Sequence, residues 1–289
     1  MSGSEDPGNG VAPLRPVELA HVVVPLDGSD SAARAVPIAR QLAALVGARL
    51  TVLAVSIPGE DHGSLQQHVE QTAARIDGDA VLVEGDEVPV AILTAARQLP
   101  HHVVCMTSHG RGRSASLVGS VAADLAARAS EPLVLIGPQV PDDHRLAGRL
   151  VACVDGSAPS ESVLPTAASW AAALALGLSI VTVAEPVPEP VTPGAPYHRM
   201  HGPEVVAEDY VGRLVQQWQG HGLDVDGDAV YHPVSVAGGL ADYLEGRPAA
   251  LVAATTRART GIARLVLGSV AAAIVRHATA PVLVVPGPA

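Results

Sequence analysis

The chain repeats itself, and the repetition limits what it can fold into. Around Asp27 it reads HVVVPLDGSDSAARAVPIARQLAALVGARLTVLAVSIP, and around Asp155 it reads LVACVDGSAPSESVLPTAASWAAALALGLSIVTVAEP. A shift of 128 residues lays Asp27, Gly28, Ser29, Pro37 and Val55 on Asp155, Gly156, Ser157, Pro165 and Val183. A closing match, GSVAADLAARASEPLVLI from Gly119 and GSVAAAIVRHATAPVLVV from Gly268, runs at a shift of 149, so the second copy carries a net insertion of 21 residues. Solenoid repeats have periods of roughly 20–50 residues; units this long are whole domains in tandem. The organisation reads as a leader over 1–18, a first domain over 19–140 and a second over 146–289, with GPQVPDDHRLAG (137–148) joining them. The opening MSGSEDPGNG is acidic and polar where a signal peptide needs a basic start and an apolar core. It reads as a disordered leader on a cytoplasmic protein.

A chain of 289 residues fits two domains of about 100–150 residues. Aromatic residues make up only 2% and Phe is absent, so the cores must be built from Val, Leu, Ile and Ala. That composition suits buried strands and small-residue helices. Lys is absent as well, which excludes a Walker-type phosphate lysine, a Schiff base and an ammonium general base. A net charge of −11 argues against nucleic acid as a partner, because phosphates need a basic face. Cys105 and Cys153 fall inside predicted strands of different copies and read as core residues rather than a redox pair. Ser162 to Ala184 carries no charge and is long enough to cross a bilayer. The matching stretch of the first copy carries Arg34, Arg40 and Arg49, and the Ala-rich half runs into SIVTV. Buried helix followed by buried strand is the expectation, with no membrane contact.

Short apolar runs alternate with helical periodicity. The first copy predicts strands near 21–26, 49–55, 80–84, 102–107 and 132–136, with helices near 30–46, 63–77, 88–99 and 119–129. Leu65, Val69, Ala73 and Ile76 mark one helical face. Runs such as VVVPL and LVLI imply strands buried on both faces, hence a parallel sheet covered by helices. The second copy predicts strands near 149–154, 178–184, 225–231, 249–254 and 281–285, and most of its insertion falls in the Pro-rich PVPEPVTPGAPYHRMHGPE, a long loop. The fold class is therefore α/β: two tandem doubly wound domains, each with a five-stranded parallel sheet.

In such sheets ligands bind beyond the carboxyl ends of the strands, where strand order reverses. Asp27 ends the first strand, and a carboxylate there can accept from ribose hydroxyls or an adenine amine. The same Asp-Gly-Ser also suits a plain turn into a helix capped by Ser29 or Asp30. After the fourth strand comes TSHGRGRSASLVGS, Thr107 to Ser120. Gly110 and Gly112 would let the backbone approach a ligand closely. Gly119 and Ser120 would offer free amides and a hydroxyl at a helix N-terminus, an anion site. Arg111 and Arg113 make this loop basic, although an exposed glycine turn capped by Ser120 would look the same.

The strand-one Asp, the glycine loop, the GSV at the last helix and the closing PVLVV together resemble the universal stress protein family, twice over and across nearly the whole chain. The resemblance implies the doubly wound fold of the adenine nucleotide alpha hydrolases and, for one subgroup, ATP binding. That subgroup carries Gly, two residues, Gly, nine residues, then Gly-Ser or Gly-Thr. Transferred here, it implies Asp27, the Val55 backbone beside adenine, Gly110, Gly119, Ser120 and Val121 in the first copy. In the second it implies Asp155, Val183, Gly268, Ser269 and Val270. Thr107 stands where the first glycine belongs, and eight residues separate Gly110 from Gly119; a β-branched residue reaches a glycine-only conformation at a cost. Thr255 and Ala258 replace both leading glycines of the second copy, whose loop stays basic through Arg257, Arg259 and Arg264.

The resemblance further implies that the last strands pair across a pseudo-twofold, as an intramolecular dimer open to further homodimerisation. It also implies a stress-response regulator or sensor holding ATP or another adenine nucleotide, with Mg as a companion and its protein partner unidentified. Two alternatives stand beside it: a scaffold of the same fold that binds no nucleotide, and an enzyme handling an adenylyl group. No nucleophile elbow, Cys/His pair or S-G-G-x-D-S pyrophosphate loop is present, so no catalytic residue is assigned. His198 and His201 lack clustered carboxylates or thiols and read as surface residues rather than metal ligands. His101 and His102 read as a capped helix end before the fourth strand.

Overall fold

The computed structural model describes residues 14–59, 61–109, 118–184, 203–232, 235–256 and 267–288. In the first copy the strands are β1 (His21–Pro25), β2 (Arg49–Ser56), β3 (Asp79–Glu84), β4 (His102–Thr107) and β5 (Leu133–Ile136). Its helices are α1 (Asp30–Ala33), α2 (Ala35–Val46), α3 (His62–Arg75), α4 (Val88–Arg97) and α5 (Ser120–Arg128). The second copy follows with β6 (Arg149–Val154), α6 (Ala158–Glu161), α7 (Val163–Ala173), β7 (Gly177–Ala184) and α8 (Pro203–Gln219). It closes with β8 (Val225–Tyr231), α9 (Val236–Gly246), β9 (Leu251–Thr255), α10 (Ser269–His277) and β10 (Val282–Val285).

The ten strands form one sheet in the order β3-β2-β1-β4-β5-β10-β9-β6-β7-β8. Every neighbouring pair is parallel except β5 and β10, which run antiparallel with Leu283 opposite Val134. LVLI and VLVV are buried along their whole length. Either run left at an edge would expose apolar side chains and unpaired main chain together. Pairing with each other removes both exposures, and the sheet's true edges become β3 and β8, whose residues are mostly half-buried.

Helices cover both faces, and the two apolar layers run through both copies. One layer joins Ile38 and Leu42 of α2, Val69 of α3, Leu164 and Trp170 of α7 and Leu214 of α8. The other joins Ile92 of α4, Leu125 of α5, Leu244 of α9 and Ile274 of α10. Leu14 and Val17 pack against the first layer. Residues 14–18, expected as the end of a disordered leader over 1–18, are therefore anchored, because two of their side chains find apolar cover; residues 1–13 lie outside the described residues. The uncharged stretch from Ser162 is α7, with seven buried residues, running into the buried β7. Among the described residues no helix is long and apolar enough to cross a membrane.

Cys105 and Cys153 are free thiols on β4 and β6, and burial pushes each up to about 12. His101 takes a left-handed φ of 50° and its carbonyl accepts from Ala20 and His21, so it turns the chain into β4; His102 is already in that strand. The joining segment is strapped down at several points. Arg34 meets Asp142 at 2.9 Å and donates to the Val140 carbonyl at 2.6 Å. The Gln41 side chain donates to the His144 carbonyl at 2.8 Å and accepts from the Leu146 amide at 3.1 Å. Nε2 of His144 lies 2.9 Å from the Ala250 carbonyl, tying the strap to the second copy.

Candidate binding site

Strand β1 lies between β2 and β4, so the connections leaving β1 and β4 diverge to opposite faces and open a crevice at their carboxyl ends. The crevice holds a cavity of about 540 Å³. One end is apolar, walled by Leu53, Val55 and Ile57 from β2 and its extension, Leu65 of α3, and Val88 and Ile92 of α4. The β1, β4 and α5 side brings the polar groups, Asp27, Thr107, Ser108, His109, Gly119 and Ser120, set among the apolar Met106, Val118 and Val121. The cavity therefore suits a ligand with a flat apolar part and a hydroxylated or anionic part.

The strand ladder also orients the main chain of Val55. In a parallel strand, alternate residues turn their N–H and C=O toward opposite neighbours. The Ser56 carbonyl accepts from Gly85 on the β3 side, and the Leu53 carbonyl accepts from Leu26 on the β1 side. Val55 shares the direction of Leu53, toward the place where β1 has already ended at Pro25. Its donor and acceptor face the crevice, the pairing that a heterocyclic base requires.

Asp27 is half-buried, and its Oδ1 accepts from the Ser29 amide at 2.9 Å and the Ser29 hydroxyl at 2.6 Å. Gly28 holds a φ of 80° and permits the turn, a left-handed conformation that side chains resist. Ser29 in turn caps α1, accepting from the Ala32 amide at 3.1 Å. Asp27 thus organises a capped turn, as one reading of the motif expects, and also lines the cavity. Ser31 and Thr107 donate their hydroxyls to the His109 carbonyl, at 2.9 and 2.8 Å, and lock the β1 and β4 ends together.

Two expectations require correction. The Gly119 amide is not free, because it donates to the Ser108 carbonyl at 2.7 Å. The chain returns alongside β4 there, and the amides left to meet an anion are those of the next turn, beginning at Ser120 and Val121, where no side chain caps α5. Thr107 imposes no backbone strain, since it is the last residue of β4 and does not have a positive φ. Gly110, Gly112, Arg111 and Arg113 lie outside the described residues, as do Ala258, Arg257, Arg259, Arg264, His198 and His201. Ser31, His109, Val88 and Ile92 escaped the sequence reading. The Val88–Ile92 spacing signals an apolar helical face, but nothing local says that it faces a cavity.

The second copy repeats half of this. Asp155 accepts from the Ser157 amide at 3.0 Å and hydroxyl at 2.5 Å, Gly156 has a φ of 81°, and Ser157 caps α6. A cavity of about 380 Å³ brings Asp155 to Thr255, Gly268 and Val270. Ser269 begins α10, again without a side-chain cap. Asp155 is exposed where Asp27 is half-buried. Among the described residues no side chain of β7 lines this cavity, so Val183, the counterpart of Val55, stands apart from it.

A model of the universal stress protein family matches residues 18–137 and 147–286. No curated protein sequence matches the chain. Among solved structures, a universal stress protein from Archaeoglobus fulgidus DSM 4304 is similar at 15% identity and a TM-score of 0.64, over 92% of this chain and 98% of that one. A functionally unknown protein from Pseudomonas aeruginosa PAO1 is similar at 14% identity and a TM-score of 0.60, over 93% of each chain. These two likenesses speak to the fold alone. A universal stress protein in complex with cAMP aligns with 48% of this chain and 96% of its own, at 22% identity and a TM-score of 0.36.

Proposed function

Taking as premise that the chain belongs to the universal stress protein family, we propose that its first copy binds an adenine nucleotide, ATP or a relative, and that occupancy regulates a stress response in the cytoplasm. The observation that carries this reading is the cavity of the first copy, apolar on the β2 side and gathering its polar groups on the Asp27 and Ser120 side. The base would lie between Val55 and the start of α4, with the Val55 main chain reading its edge. Asp27 would accept from the ribose hydroxyls. The phosphates would meet the first-turn amides of α5, where the helix dipole favours negative charge. A Mg ion would arrive on those phosphates; among the described residues no group of His, Cys, Asp and Glu side chains is assembled to hold one. No chemical step belongs to the proposal; Ser108 Oγ lies 2.8 Å from Nδ1 of His109 at the cavity wall, and no reaction is assigned to that pair.

The test is direct. Purified protein is heat-denatured and released nucleotide identified by mass spectrometry, while the stripped protein is titrated with ATP, ADP and cAMP. Adenine nucleotide is expected by at least one route, with Asp27→Ala lowering it. Binding by neither route, or binding indifferent to Asp27→Ala, overturns the reading and leaves the scaffold alternative.

A further inference from the structure

The ladders identify a residue exchange between the copies at the base end of the crevice. Gly85 donates its amide to the Ser56 carbonyl at 3.2 Å, and His232 donates its amide to the Ala184 carbonyl at 3.3 Å. Ser56 and Ala184 end their strands at equivalent positions, so His232 stands where the first copy has Gly85. The helix that follows is exchanged in the opposite sense. Counting from the first residues of α4 and α9, Ala91 corresponds to Gly239. A β-carbon added at Gly85 would meet the Ala91 β-carbon at 2.8 Å; one added at Gly239 would meet the His232 β-carbon and a Val183 methyl, each at 2.8 Å. One side chain fits at this junction, not two. The first copy puts a methyl there from the helix, and the second puts an imidazole there from the strand.

That imidazole is held in place. Its Nδ1 accepts from the Ser235 amide at 3.0 Å, its Nε2 lies 3.7 Å from Asp242, and a β-carbon at Gly238 would come within 2.7 Å of its Cε1. The ring therefore runs along the first turn of α9, beside Val183, in the angle that the first copy leaves open between Val55 and α4. The cavity of the second copy accordingly stops short of β7. We infer that His232 closes the base slot of the second copy, so that the chain holds one adenine nucleotide, and that His232 with Gly239 is the specificity-determining pair. This rests on the nucleotide reading of the first copy.

The experiment counts nucleotide equivalents by equilibrium dialysis of the full chain with ATP and with cAMP. The wild type is expected to hold one equivalent, lost in Asp27→Ala. His232→Gly with Gly239→Ala, which gives the second copy the pair of the first, is expected to hold two, the second removed by adding Asp155→Ala. The reciprocal change, Gly85→His with Ala91→Gly, is expected to hold none while keeping its circular dichroism. Two equivalents in the wild type would overturn this inference and leave the proposed function standing. So would an opened variant that is folded yet still holds one. If the wild type holds none, the proposed function falls. An Asp155-dependent equivalent gained on opening would then still support the closure, and no gain would overturn it.

Discussion

The two copies share a framework and differ in what lines their crevices. Both follow their first strand with Asp-Gly-Ser, with glycine φ values of 80° and 81°, and both cap the next helical turn with serine. Beyond that turn they part. The first copy locks the crevice with Ser31 on the His109 carbonyl, whereas the second has Pro159 at the matching position, which has no hydroxyl to donate. The first leaves the slot beside Val55 open, and the second fills the slot beside Val183 with His232. The geometry that positions a carboxylate belongs to the turn and survives repetition. The geometry proposed to admit a base turns on the pair at Gly85 and Ala91, and the second copy, with His232 and Gly239, does not repeat it.

If the frameworks are equivalent, core truncations at matched places should cost the same. Leu125→Ala in α5 and Ile274→Ala in α10, both fully buried, are each expected to destabilise by about 2–5 kcal/mol in chemical denaturation. A several-fold disparity would break the equivalence. Next in size, Asp27→Ala is expected to weaken adenine nucleotide binding about 10–100-fold in calorimetric titration, since hydrogen bonds to a charged group contribute about 1.5–3 kcal/mol. Smaller again, Gly28→Ala and Gly156→Ala should each cost about 1–2 kcal/mol, the penalty of a side chain in left-handed backbone. Matching losses in thermal unfolding would show that the two turns are built alike.

The smallest effect concerns the strap between the copies. Burial holds the His144 imidazole below its ordinary value, against the pull of the Ala250 carbonyl and Asp143. The unfolded chain then takes up the proton more readily than the folded one. The stabilisation is complete above the ordinary value of 6.5 and is lost as pH falls through the lower folded value. Denaturation midpoints should drop on acidification through that window, and His144→Gln should flatten the slope.

Much of this was legible in the residues alone. Apolar runs such as VVVPL and VLVV announced buried parallel strands, and the unprotected VLVV required a mate, which β5 supplies. The uncharged stretch from Ser162 was separable from a membrane span because its repeat partner carries three arginines. What stayed hidden depended on contacts between distant segments. Gly119 looked like a free amide until the returning chain placed it on the Ser108 carbonyl. Thr107 looked strained because the motif suggested a glycine-only loop, whereas the β4 ladder carries it as ordinary strand through its pairing with Ile136. His232 is a lone histidine after a tyrosine in the sequence. Its equivalence to Gly85 emerges only from two hydrogen bonds, since the insertion upstream has shifted the alignment.

The antiparallel seam at β5 and β10 has an evolutionary corollary. In a dimer of identical subunits every substitution is stamped into both halves, so neither half can abandon a ligand alone. Fusion into one polypeptide lifts that constraint while leaving each half dependent on the other's terminal strand. A half emptied of its original ligand would still be indispensable as the lid on its twin's most apolar strand, and so could drift toward a new role without ever being dispensable.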